Sequence, residues 1–229
     1  MTVFFDLDGT LLDDDAALRA GALALLRRHY AVFDLPDDVF VRQWKDVAAT
    51  HWRRYEKREV TFAEQRRARV IDVFGAAGRA LSAADADDIF QAYVRDYERN
   101  WRLFPDVLPC LDALDGRPRG VISNGDTAQQ RKKLERTGLL RRFVTVTISG
   151  EVGVAKPALA IFLEACRRTG RPPHRCVYVW DRLATDALAS EAAGMRGVWL
   201  HRAPDGDAPA GVIMMRSLGE LAGIIDRIV

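Results

Sequence analysis

From residue 119 onward the chain alternates short apolar runs with stretches of helical period, and that alternation limits the fold more than any other feature. Gly120-Val121-Ile122, Val144 to Ile148, Cys176 to Trp180 and Gly197 to Leu200 read as strands. Between them Thr127 to Thr137, Pro157 to Thr169 and Ala184 to Ala193 read as helices, closed by Gly138, Gly170 and Gly194. Proline is tolerated where a helix starts and glycine is favoured just past its end, so the punctuation agrees with the periodicity. Strand and helix in turn, over short connections, build a parallel sheet covered on both faces. Val212 to Met215 and Leu218 to Ile228 supply a last edge strand and a closing helix.

The N-terminus adds another strand, Val3-Phe4-Phe5, and then the pattern changes. Between Asp14 and Phe104 there are only amphipathic stretches: Ala16 to His29, Asp37 to Lys57, Thr61 to Phe74 and Ser82 to Trp101. The expectation is an α/β core made of residues 1–13 and 105–229, interrupted after its first strand by a helical domain over 14–104.

With 229 residues, 48% hydrophobic and 29% charged, the chain is long enough for a real core and too apolar for disorder. Its 34 basic and 32 acidic residues leave a net charge of +2, which gives no reason to expect a nucleic-acid partner. No run approaches the roughly 18 apolar residues of a membrane span, and the first residues lack the pattern of a signal peptide. Cys110, Cys166 and Cys176 form no CxxC pair and leave one over in any disulfide scheme. A cytoplasmic protein with no membrane partner, monomeric or homodimeric, is expected.

Chemistry concentrates where the strands end. The first strand runs straight into Asp6-Leu7-Asp8-Gly9-Thr10. Two carboxylates two positions apart at the carboxyl end of a buried strand repel each other unless a cation sits between them, and Mg²⁺ suits such oxygens. A solvated turn with a helix cap would also fit. Ser123-Asn124-Gly125 ends another strand just before a helix, either as an anion site or as an N-cap. Lys156 directly precedes Pro157 at an expected helix start, a poor place for a cation unless an anion is near. Asp181 closes a further strand, and Asp186 follows five residues on.

In this order and on these elements, the residues resemble the four motifs of the haloacid dehalogenase-like (HAD) hydrolase superfamily. Ser149-Gly150-Glu151-Val152-Gly153-Val154-Ala155-Lys156-Pro157 is similar to the third motif of its phosphatase-like branch. The resemblance implies a Rossmann-like core and a helical cap inserted after the first motif. It implies Asp6 as a nucleophile forming an aspartyl-phosphate, and Asp8 as the general acid/base. It implies Ser123, Asn124 and Lys156 as phosphate ligands, and a Mg²⁺ site made by Asp6, Asp181 and, through its carbonyl, Asp8. Thr10 and Asp186 would support these groups from behind. The substrate implied is a small phosphate ester such as a nucleotide or sugar phosphate.

Two departures bear on this. Trp180 stands where the phosphatase branch usually has glycine and places an indole at the mouth of the site, where ordinary packing against the cap is expected ahead of any direct catalytic role. The Trp180-Asp181 pair is similar to that of the halocarboxylate dehalogenases of the same superfamily. Ala158-Leu159 replaces an Asp-Pro pair and alters the helix start. The dehalogenases, however, replace the acid at the Asp8 position and need no metal, so the phosphatase is preferred. A metal-independent 2-haloacid dehalogenase and a catalytically silent binding module are the alternatives. Between Val41 and Arg69 nine basic residues face four acidic ones, an excess that could attract an anion or form a solvated face. Trp44, His51, Trp52 and Tyr55 fall near one helical face, as a domain core or an aromatic wall. No catalytic role is assigned to His51.

Overall fold

The structure, a computed structural model, describes residues 1–228 and the side chains of all of these but 184–188. Two compact units emerge, one made of Met1–Asp13 with Arg102–Val229, the other of Asp14–Trp101. The second junction falls at residue 102 and not after Phe104. Main-chain bonds explain the shift: Asp13 N–H donates to Arg102 O at 2.9 Å and Phe104 N–H to Leu11 O at 3.1 Å, so the returning chain already belongs to the first unit.

The first unit is built on six parallel strands: β1 (Thr2–Phe5), β2 (Arg119–Ser123), β3 (Thr145–Ile148), β4 (Cys176–Trp180), β5 (Arg196–Leu200) and β6 (Ile213–Met215). Their order is β3-β2-β1-β4-β5-β6. β1 and β4 are buried along their whole length, as strands covered on both faces must be. Because β2 and β3 lie to one side of β1 and β4 to β6 to the other, the connections reverse direction between β1 and β4. That reversal opens a crevice at the strands' carboxyl ends, the place where ligands bind in open α/β sheets.

The second unit holds helices α1 (Asp14–Arg28), α2 (Tyr30–Phe33), α3 (Asp37–Glu56), α4 (Phe62–Ala76) and α5 (Ala83–Arg99). Ser82 caps α5, and Thr61 with Glu64 forms a reciprocal capping box on α4. Trp44 is fully buried against Tyr93, their ring centroids 4.6 Å apart, and His51 is buried with Nε2 2.6 Å from Asp72 Oδ2. Trp52 and Tyr55 are only half-buried, their rings 5.2 Å apart. The suspected aromatic face therefore divides into a buried half and a surface half.

Among the described residues the first unit holds six α-helices: α6 (Val107–Ala113), α7 (Thr127–Arg136), α8 (Ser149–Val152), α9 (Leu159–Thr169), α10 (Leu183–Ala192) and α11 (Leu221–Ile228). Neither α6 nor the single turn α8 is evident from periodicity. α9 starts two residues later than expected, because Ala158 is extended at φ −63°, ψ 132°. Lys156 is consequently not at a helix start, and another anion must account for it. All three cysteines are buried and free. Among the described residues no helix is long and apolar enough to cross a membrane.

Candidate active site

Asp6 continues β1 by one residue, its N–H donating to Val179 O of β4 at 2.9 Å, which sets its carboxylate beside the crevice. The chain then turns tightly, Leu11 and Leu12 N–H both donating to Leu7 O at 2.9 Å. Gly9 makes that turn at φ +83°, and a Cβ there would lie 2.2 Å from Asp181 Oδ2. Thr10 Oγ1 donates to Asp181 Oδ1 at 3.2 Å. Glycine thus answers two demands, a left-handed backbone and a close approach by the carboxylate that ends β4. Arg202 holds the same turn from outside, donating to Thr10 O at 3.1 Å while bracketing Asp106 at 2.8 and 3.0 Å.

Lys156 answers to Asp6. Its Nζ lies 2.9 Å from Asp6 Oδ1 and donates to Tyr178 Oη at 2.8 Å, with Lys156 7% and Asp6 6% exposed. A buried ammonium is tolerable only when paired and hydrogen-bonded, and here both conditions hold. Asn124 fixes this lysine by its main chain: Nδ2 donates to Lys156 O at 3.0 Å, and Oδ1 accepts from Lys156 N–H at 2.8 Å. Both ends of the Asn124 carboxamide are therefore engaged with the main chain of Lys156. It holds the loop that carries Lys156. Ser123 lies at the end of β2, 1% exposed, accepting from Gln130 Nε2 at 2.7 Å.

Asp8 has a lysine of its own. Lys133 Nζ is 2.7 Å from Asp8 Oδ1, and Gln130 Nε2 donates to Asp8 Oδ2 at 2.9 Å. Sequence reasoning missed Gln130, Lys133, Tyr178 and Arg202. One signal was available: α7, TAQQRKKLER, has a single large apolar residue, Leu134, so its inward face at 130, 133 and 134 has to bury polar groups.

Trp180 packs in the core and does not stand at the mouth of the site. It is fully buried, stacked on Tyr178 with centroids 5.8 Å apart, and a Cβ at Gly197 would meet its ring at 2.3 Å. Residues two apart on a strand share a face, so Trp180 follows Tyr178 into the layer beneath α9 and not into the mouth of the site. The Asp186 side chain lies outside the described residues.

Among the described residues no three His, Cys, Asp or Glu side chains cluster as a complete metal site. The expected Mg²⁺ ligands ask for less, two side-chain carboxylates and one main-chain carbonyl. The state of Asp181 fits a cation: burial pushes its carboxyl above the ordinary carboxylate range, against the opposing pull of Arg182, Lys156 and the Thr10 hydroxyl. A divalent ion would relieve that burial penalty, and the oxygen donors suit a hard one.

Comparison with known proteins identifies the family. The family model of the haloacid dehalogenase-like hydrolases matches residues 1–194. The pyrimidine 5′-nucleotidase YjjG of Escherichia coli K12 is 30% identical, over 97% of this chain and 96% of its own. A glyceraldehyde 3-phosphate phosphatase of Methanopyrus kandleri is 43% identical over 43% of each chain, so the chain matches less than half of that relative's length. The fold is that of the putative HAD-hydrolase YfnB from Bacillus subtilis, with a TM-score of 0.81, 24% identity and 98% of each chain covered. A 2-haloacid dehalogenase from Pseudomonas syringae pv. Tomato DC3000 shares it at a TM-score of 0.72 and 24% identity, over 100% of this chain and 99% of its own. The chain is a hydrolase and belongs to the haloacid dehalogenase-like hydrolase family.

Proposed function

We propose that the protein is a Mg²⁺-dependent phosphomonoester hydrolase acting on a small phosphorylated metabolite through an aspartyl-phosphate on Asp6. The observation that carries this reading is the paired arrangement on one turn, Asp6 with Lys156 and Asp8 with Lys133. A second intact carboxylate two residues from the nucleophile is what phosphoryl transfer needs for proton traffic, and halide displacement leaves it idle. Trp180, buried beneath α9, offers no indole to a substrate at Asp6.

In the reaction, an Asp6 oxygen attacks phosphorus while the ester oxygen leaves and takes a proton from Asp8. Water then attacks the phosphoryl group, gives its proton to Asp8 and releases phosphate, which splits one difficult displacement into two easier ones. Lys156 and the Ser123 hydroxyl offset charge on the phosphoryl oxygens. Asp6, Asp181 and the Asp8 carbonyl would hold Mg²⁺, which when bound neutralises charge on nucleophile and phosphoryl group. The pyrimidine 5′-nucleotidase and the glyceraldehyde 3-phosphate phosphatase among its relatives support a substrate of that size and charge.

Hydrolysis of p-nitrophenyl phosphate tests the reading. It is expected to require Mg²⁺, to fall more than about 10³-fold in Asp6→Asn, and to be blocked by beryllium trifluoride bound at Asp6. Metal-independent halide release from 2-chloropropionate would overturn the reading in favour of the dehalogenase. A beryllium trifluoride adduct at another residue would displace Asp6 as the nucleophile.

A further inference from the structure

Two buried donors on α7, Lys133 beside Asp8 and Gln130 next to it, are given no step in the chemistry above. Lys133 is 3% exposed and Gln130 2%. They stand three residues apart on one helix face and grip both oxygens of Asp8, Lys133 at Oδ1 and Gln130 at Oδ2. The Gln130 orientation follows from Asn124 O, a main-chain carbonyl that only accepts, so the NH₂ end must face it. The same Nε2 reaches Ser123 Oγ at 2.7 Å and Asn124 O at 3.3 Å. Space for Gln130 is provided by Gly125, at φ +148°, where a Cβ would come within 2.9 Å of Gln130 Cγ and 3.0 Å of Cδ. Apolar residues at 130 and 133 would leave the Asp8 carboxylate without its two donors, so these side chains are tied to Asp8 and not to the packing of α7 alone.

We propose that Gln130 and Lys133 are positioning residues that hold the Asp8 carboxylate as the proton acceptor for the water that hydrolyses the Asp6 phosphoryl ester. This rests on the phosphatase reading. In that half-reaction the water oxygen bonds to phosphorus, the bond from phosphorus to Asp6 breaks, and the water proton passes to Asp8. Asp6 returns as a carboxylate and inorganic phosphate leaves. An ammonium and a carboxamide NH₂ can only donate, so they favour the ionised carboxylate left once Asp8 has given its proton to the ester oxygen, the form that accepts from water. Because Gln130 also holds Ser123, the acceptor and the hydroxyl offered to the phosphoryl group keep a fixed spacing, on which near-attack geometry depends.

p-Nitrophenyl phosphate with Mg²⁺ separates the two half-reactions. The p-nitrophenolate leaves without a proton, so phosphorylation of Asp6 does not call on Asp8, whereas its hydrolysis does. In Lys133→Met, kcat is expected to fall about 10- to 100-fold. KM should fall in parallel, leaving kcat/KM within about twofold, and rapid mixing should show a burst approaching one p-nitrophenolate per enzyme. Gln130→Met, which keeps the ion pair, should give the same burst with a smaller fall in kcat. A drop in kcat/KM with no burst in either variant indicates a merely structural role and overturns the proposal, as does an unchanged kcat. A wild-type protein with no turnover and no phosphorylated Asp6 refutes the phosphatase reading itself, and the clamp with it.

Discussion

The helical unit and the carboxyl end of the sheet bury opposite things. Phe40, Trp44, Val70, Val73, Phe74 and Phe90 fill the helical unit, where His51 and Gln65 are the fully buried polar side chains among the described residues. At the strand ends Asp6, Thr10, Ser123, Gln130, Lys133 and Lys156 are all buried within one hydrogen-bonded neighbourhood. Apolar burial stabilises by roughly 25 cal/mol per Å², whereas a buried ion pair gains little or nothing over an apolar replacement. The helical unit is therefore packed for stability. At the strand ends the fold tolerates a poorer core for the sake of chemistry.

Trp44→Ala should break that contrast most strongly on the stability side. Trp44 is fully buried, with ring contacts to Tyr93 and Phe90. Its loss should cost about 3–5 kcal/mol in urea unfolding. Trp44→Phe should cost far less, since it also removes an indole N–H that has no hydrogen-bond partner. Equal costs for the two variants would mean that ring volume does not govern this core.

Gly9→Ala probes the other region and should act on turnover. Its Cβ would fall 2.2 Å from Asp181 Oδ2 at a backbone φ of +83°, so the turn and the carboxylate cannot both stay in place. A loss of about 100-fold in kcat/KM, worth about 2.7 kcal/mol in the transition state, is expected from a displacement of that size. Turnover within twofold of wild type would show that the contact between Gly9 and Asp181 has no catalytic consequence.

The same contrast explains what could be read from sequence. Strands of the core announce themselves because burial on both faces leaves unbroken apolar runs such as Val3-Phe4-Phe5 and Cys176 to Trp180. Asp6, Asp8 and Asp181 stand out because a carboxylate directly after such a run is out of place unless something holds it there. Gln130 and Lys133 do not stand out: in a helix as polar as α7 they look like solvated residues, and only the folded partner Asp8 distinguishes them. Tyr178 is hidden for the converse reason, counted as one more apolar residue until its hydroxyl meets Lys156. The direction of Trp180 was equally closed to sequence, because alternation says that residues 178 and 180 share a face without saying which face is the crevice.

Asp181→Asn gives the smallest change, and it reverses the usual sign of a mutation. Burial raises the Asp181 carboxyl above its ordinary range, so the folded chain holds that proton more tightly than the unfolded one does. Stability from this group is therefore lost as pH rises from the ordinary value of 3.8 through the raised one. Above the ordinary value and without a divalent ion the folded chain carries that cost, and asparagine removes it. The thermal midpoint of Asp181→Asn in chelator should accordingly lie above that of wild type at pH 7, and the difference should fade on acidification through the raised value. Adding Mg²⁺ should raise the wild-type midpoint and leave the variant unmoved, because a ligand stabilises only the fold it binds. A variant less stable than wild type in chelator would mean that the Thr10 hydroxyl and nearby Lys156 already satisfy the carboxylate, and that its burial asks for no cation.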